Sequence, residues 1–127
     1  MDVETLWHVL VMDWTTVENT PPSMRRPLEL QRWHFRVERL AQMMERSSGD
    51  VVRELKDQAH AMARRKQREM EASLAEDFAV CRAQGLQIKP PWRRKLQALA
   101  EITGQERETV QQRVIAAAES IQVVEAR

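Results

Sequence analysis

The sequence predicts an all-α fold of about five helices in an antiparallel bundle, one of them long. Three observations carry this expectation. Apolar residues recur at alternating steps of three and four through most of the 127 residues. Three glycines, five prolines and no tyrosine supply little of the turn and strand chemistry of a β fold. Residues 50–84 contain neither Gly nor Pro. The length fits one domain, 1–127, made of a helical hairpin over 1–48, a long helix over 50–84 and a C-terminal hairpin over 92–125.

The first helix is expected over residues 2–18, where Val3, Trp7, Leu10, Trp14 and Val17 form one stripe. Asp2 suits the N-cap, because its carboxylate can accept an orphan amide hydrogen of the first turn. Pro21 and Pro22 end this helix. The second runs from about Met24 to Arg46, with Pro27 tolerated in its first turn and Leu30, Trp33, Val37, Leu40 and Met44 as its seam. Ser47, Ser48 and Gly49 close it.

The long helix has an apolar stripe at each end, Leu55–Ala59–Met62 and Met70–Leu74–Phe78–Cys81, with a polar waist between. At ~1.5 Å per residue it measures roughly 52 Å, against roughly 36 Å across a compact domain of this size. It therefore either breaks near Arg64–Arg68 or projects and meets something else. Gly85 fits the position after its C-terminus, and Pro90-Pro91 opens a short helix from Trp92 to about Ile102. Thr103-Gly104-Gln105-Glu106 matches a capping box with Thr103 as N-cap. The last helix then carries Val110, Val114, Ala117, Ile121 and Val124. The seven methionines are expected as core filler.

Composition excludes several function classes. The single cysteine, Cys81, allows no internal disulfide and suits a reducing, cytoplasmic setting. The N-terminus lacks the basic region of a signal peptide, and no apolar run reaches membrane-span length. His8, His34 and His60 fall on three separate helices, and no metal-ligand spacing, nucleophile elbow or phosphate loop occurs. A non-enzymatic protein with no cofactor, no metal and no membrane partner is expected.

The formal net charge of +1 hides a segregation. Residues 1–24 hold four acids and no Lys or Arg, residues 25–95 hold seventeen bases against ten acids, and residues 96–127 hold three bases against five acids. Sixteen of the twenty bases are arginine, whose planar fork grips phosphate bidentately. A G·C-rich genome would produce the same excess. On the second helix Arg25, Arg32, Arg36, Arg39 and Arg46 fall within about 80° of one another. Such a stripe tracks phosphates, forms a solvated face, or pairs with the acidic first helix. Arg64, Arg65, Lys66 and Arg68 crowd the waist of the long helix. Arg93, Arg94 and Lys95 follow Trp92, which either stacks on an exposed base or plugs the core.

The run Leu99–Val110 resembles the helix-turn-helix of Crp-type bacterial transcription regulators, locally over about residues 96–115. Its landmarks are Ala100, Gly104 four residues on and Val110 six further. The resemblance implies that Arg107, Thr109, Gln111, Gln112 and Arg113 face a DNA major groove. An αα-hairpin with a capping box gives the same spacing. Taken together, the sequence points to a nucleic-acid-binding helical protein that contacts the phosphate backbone of DNA or RNA. The alternative is a small helical interaction or assembly subunit of a larger phage or ribonucleoprotein-type complex, with a protein partner or a second copy of the chain.

Overall fold

The computed structural model describes residues 1–121. Its elements are α1 (Val3–Glu18), a 3₁₀ turn (Pro22–Met24), α2 (Pro27–Met44), α3 (Ser48–Ala83), α4 (Pro90–Thr103) and α5 (Arg107–Glu119), with no strand among the described residues. The fold is all-α. The chain divides into two compact units, Met1–Arg65 and Lys66–Arg127. α3 is unbroken for 36 residues, about 54 Å, and contributes to both.

In the first unit, α1 begins where expected. Asp2 accepts the Thr5 amide at 2.7 Å, and this hydrogen bond holds its carboxyl below the usual carboxylate range. α2 starts with Pro27 at its first position and ends on Glu45, held left-handed at φ 54°. There the Arg46 amide reaches back to the Ala41 carbonyl at 3.0 Å, closing the helix as a glycine cap would. The Ser47 hydroxyl accepts the Asp50 amide and opens α3.

Neighbouring contacts give the directions. Thr16 and Thr20 border the same groove as Arg26 and Glu29, while Leu6 at the other end borders Arg39 and Gln42, so α1 and α2 are antiparallel. Thr15 and Asn19 reach the carbonyls of Ala59 and Ala63, so α1 and α3 run parallel. This is an up-down-up bundle. Its core joins Leu6, Leu10, Trp33, Val37, Leu40 and Leu55. The Trp33 indole N–H donates to the Leu10 carbonyl at 2.9 Å, which satisfies the polar edge of an otherwise apolar ring.

The second unit repeats the scheme with residues 66–83 of α3, then α4 and α5. Gly85 at φ 66° ends α3, with the Leu86 amide on the Cys81 carbonyl at 2.8 Å. α4 starts at Pro90. Leu74, Trp92, Leu96, Leu99, Val110 and Val114 form the core. Glu71 pairs with Arg113 and Arg82 with Glu119, so α5 runs parallel to α3.

Several expectations are corrected. α2 is shorter than Met24–Arg46 at both ends, which leaves Arg25 and Arg46 off the helix. Ser47 does not close α2 but starts α3, because the left-handed Glu45 has already turned the chain. The capping box does not form. Thr103 still belongs to α4 and its hydroxyl bonds back to the Leu99 carbonyl at 2.8 Å, while Glu106 is the N-cap of α5.

On α1 the buried positions are Leu6, Leu10, Val11 and Thr15, with Trp7 and Trp14 at the edges. A helix packed against two others needs a wider inner arc than one stripe. Thr15 enters the arc because its hydroxyl is satisfied by the Val11 carbonyl at 2.8 Å. Met44, Met62 and Met70 pack only partly buried, and Met24 and Met43 are exposed, so methionine does not fill the centre of either core. α5 ends at Glu119, and the expected continuation through Val124 lies outside the described residues.

Burial sets a contrast within one unit. Leu55 is wholly buried and Leu28 is 70% exposed. Leu55→Ala is expected to cost about 2–5 kcal/mol through lost transfer energy and a residual cavity, and Leu28→Ala to stay within about 0.5 kcal/mol. Urea unfolding followed by circular dichroism reads both, and equal losses would refute the assigned inner face of α2.

Candidate nucleic-acid interface

The inner face of α2 is fixed by Trp33, Val37, Leu40 and Ala41. At about 100° per residue, Leu28, Arg32, Phe35, Arg39 and Met43 lie on the opposite side. They are exposed, Phe35 at 69%. Neither Arg32 nor Arg39 forms an ion pair among the described residues.

The other members of the expected arginine stripe are engaged. Arg36 reaches Asp13 of α1 at 3.2 Å, the pairing with the acidic first helix that the charge pattern allowed. Arg25, ahead of α2, donates through Nε to the Thr20 carbonyl at 3.1 Å. Arg46, between α2 and α3, grips Glu54 through both terminal nitrogens at 3.0 and 2.7 Å. The five-residue stripe therefore contracts to two free guanidinium groups with an aromatic ring between them.

The waist residues Arg64, Arg65, Lys66 and Arg68 are all exposed on α3, with no ion pair among the described residues. At the start of α4, Trp92 is 9% exposed, its ring 5.8 Å from Phe78 and its N–H on the Leu74 carbonyl at 2.9 Å. It is the core plug, and its faces are not presented to a base. With Trp92 turned inward, Arg94 projects about 200° away from it, flanked by Arg93 and Lys95. All three are exposed and without ion pairs among the described residues, Lys89 is the N-cap, and the first turn holds no acid. A cation at a helix N-terminus opposes the macrodipole, which applies to Lys89 and fades by Arg94 and Lys95 in the second turn. Pro90 and Pro91 lack amide hydrogens, so this end offers fewer backbone donors than an ordinary helix start.

At the α4–α5 corner, Ala100 and Val110 are buried in one cluster and Gly104 takes φ 68°. This is the geometry of a tight αα-turn, whatever its use. Arg107, Thr109 and Gln112 are exposed and Gln111 is half-buried. Arg113 is held by Glu71 at 2.5 Å and by the Gln105 side chain at 3.0 Å.

Phe35 is the residue that sequence reasoning missed. Its signal was its phase: it lies two residues from Trp33, hence across the helix from the seam, where an aromatic ring gains nothing from the core. Among the described residues no group of His, Cys, Asp or Glu is gathered to hold a metal, and no helix is long and apolar enough to cross a membrane. Comparison with protein-family models, curated proteins and solved structures gave no match.

The Arg46–Glu54 fork carries a pH consequence. The Arg46 hydrogen bonds hold the Glu54 carboxyl below its ordinary value. A carboxylate with a lowered folded pKa stabilises the fold above its unfolded pKa, and that contribution disappears as pH falls through the folded value. Urea midpoints are expected to be level near neutrality and to fall on the acid side. Glu54→Gln should flatten part of that acid limb, and an unchanged limb would remove the fork from the account.

Proposed function

We propose that the protein binds nucleic acid without catalysing a reaction, holding the phosphate backbone with arginine and lysine side chains that the fold leaves unpaired. The observation that carries this reading is the start of α4. Lys89, Arg93, Arg94 and Lys95 are exposed there with no carboxylate partner among the described residues, and the first turn of the helix holds no acid. An external polyanion turns this arrangement into a binding surface. Arg32 and Arg39 of α2, and Arg64, Arg65, Lys66 and Arg68 of α3, add cations of the same kind. Base readout by Arg107, Thr109, Gln111 and Gln112 is a secondary part of the proposal, with Arg113 already tied to Glu71.

A second reading, a helical subunit that docks on a protein, is favoured by one observation: Leu28, Phe35 and Met43 leave apolar surface on the outer side of α2.

Charge reversal separates a structural role from a binding one. In the variant Arg93→Glu, Arg94→Glu, Lys95→Glu, only exposed side chains without ion pairs among the described residues change, so thermal stability should hold. Affinity for DNA or RNA should collapse. Wild-type binding should weaken steeply between ~50 and ~200 mM salt. Neutralising the same three residues should shrink the log–log salt slope on duplex by about 0.9 per lost phosphate contact. Unchanged affinity in the reversed variant would remove α4 from the interface.

A further inference from the structure

We propose that the outer face of α2 is a single-strand site, on which an unpaired base stacks against Phe35 while Arg32 and Arg39 hold the adjoining phosphates. The inference rests on the nucleic-acid reading and names which form of nucleic acid α2 takes. Phe35 is 69% exposed and lies on the same side of the helix as the two arginines, three residues after one and four before the other. That spacing sets the guanidinium stems about 4.5 and 6 Å from the ring along the helix axis. Neither arginine is neutralised by a carboxylate among the described residues, so both guanidinium groups are free to take an anion from outside.

Beside the ring is a hollow of about 300 Å³ lined by Phe35, Arg36, Glu38, Arg39 and Gln42. The side chains of Glu38, Arg39 and Gln42 have no hydrogen-bond partner among the described residues. They offer acceptors and donors to the edge of a flat heterocycle.

The geometry favours single strands over duplex. In a duplex each base face is covered by its neighbours, and only edges reach a protein surface. An aromatic ring on a convex helix face can stack only on a base that has left the helix or never entered one. Stacking of this kind tolerates any base, because every base has a π-face. A peptide partner would gain from Leu28, Phe35 and Met43 but would have to cover Arg32 and Arg39 with its own acids.

The test uses the full chain and two labelled probes read by fluorescence anisotropy at the same salt. One is a single strand of about twelve thymidines and the other a blunt duplex of equal length. The single strand is expected to bind at least about tenfold more tightly, and Phe35→Ala to weaken it by roughly 5- to 150-fold. Phe35→Trp should retain binding, duplex affinity should be unaffected by either change, and the salt slope of Phe35→Ala should match wild type. Arg32→Gln and Arg39→Gln should each reduce the single-strand slope by about 0.7. Because Phe35 is a surface residue, circular dichroism should show all variants folded. Equal affinity for the two probes, or a Phe35→Ala effect within about twofold of wild type, overturns the single-strand site and leaves nucleic-acid binding standing. If neither probe binds at ~50 mM salt, and a single-stranded RNA of the same length does not bind either, the nucleic-acid reading itself fails.

Discussion

Each unit is organised around one buried tryptophan whose indole N–H must be satisfied. Trp33 and Trp92 sit on the middle helices of their bundles, and each donates to a carbonyl of the preceding helix, Leu10 and Leu74 respectively. A ring of this size is stable inside only if its one polar atom has a partner. That requirement fixes the rotation of α2 and α4 about their axes. Rotation in turn decides what faces water, because positions two residues from the tryptophan point away from it. Arg32, Phe35 and Arg39 are outside because Trp33 is inside, and Arg94 is outside because Trp92 is inside.

The same packing sorts the arginines. Where a carboxylate comes within reach through the fold, an arginine is engaged: Arg36 with Asp13, Arg46 with Glu54, Arg113 with Glu71. The acidic α1 thus neutralises one edge of α2 and leaves the far side positive. These exposed pairs contribute little stability each, but they determine which cations are left unpaired among the described residues. The residual charge sits on helix faces turned from the cores.

Local signals in the sequence were legible because they depend on few neighbours. Asp2 caps, Pro27 starts α2, and Gly85 and Gly104 stop α3 and α4, each by chemistry confined to one turn. The waist needed no break, since a helix carries its own backbone hydrogen bonds through a polar stretch. Signals that depend on which helices meet were not legible. The Arg46–Glu54 fork requires the turn made by a left-handed Glu45, a residue with no preference that announces it. Burial of Thr15 requires α1 to have two neighbours rather than one. Trp92 could have faced either way until Leu74 supplied an acceptor. The candidate interface was half readable for the same reason: charge is visible in sequence, but whether a charge is already paired is a property of packing.

The cores are built from leucine, valine, alanine and tryptophan, and no methionine is fully buried in either. This divides the molecule's response to oxidants. Conversion of a thioether to a sulfoxide makes an apolar side chain polar. At Met43, 48% exposed on α2, that change opens no cavity and leaves the bundle intact. It alters the surface beside Arg39 and Gln42 instead. Oxidation at the exposed Met1, Met24 and Met43 therefore changes surface chemistry well before it reaches what holds the helices together.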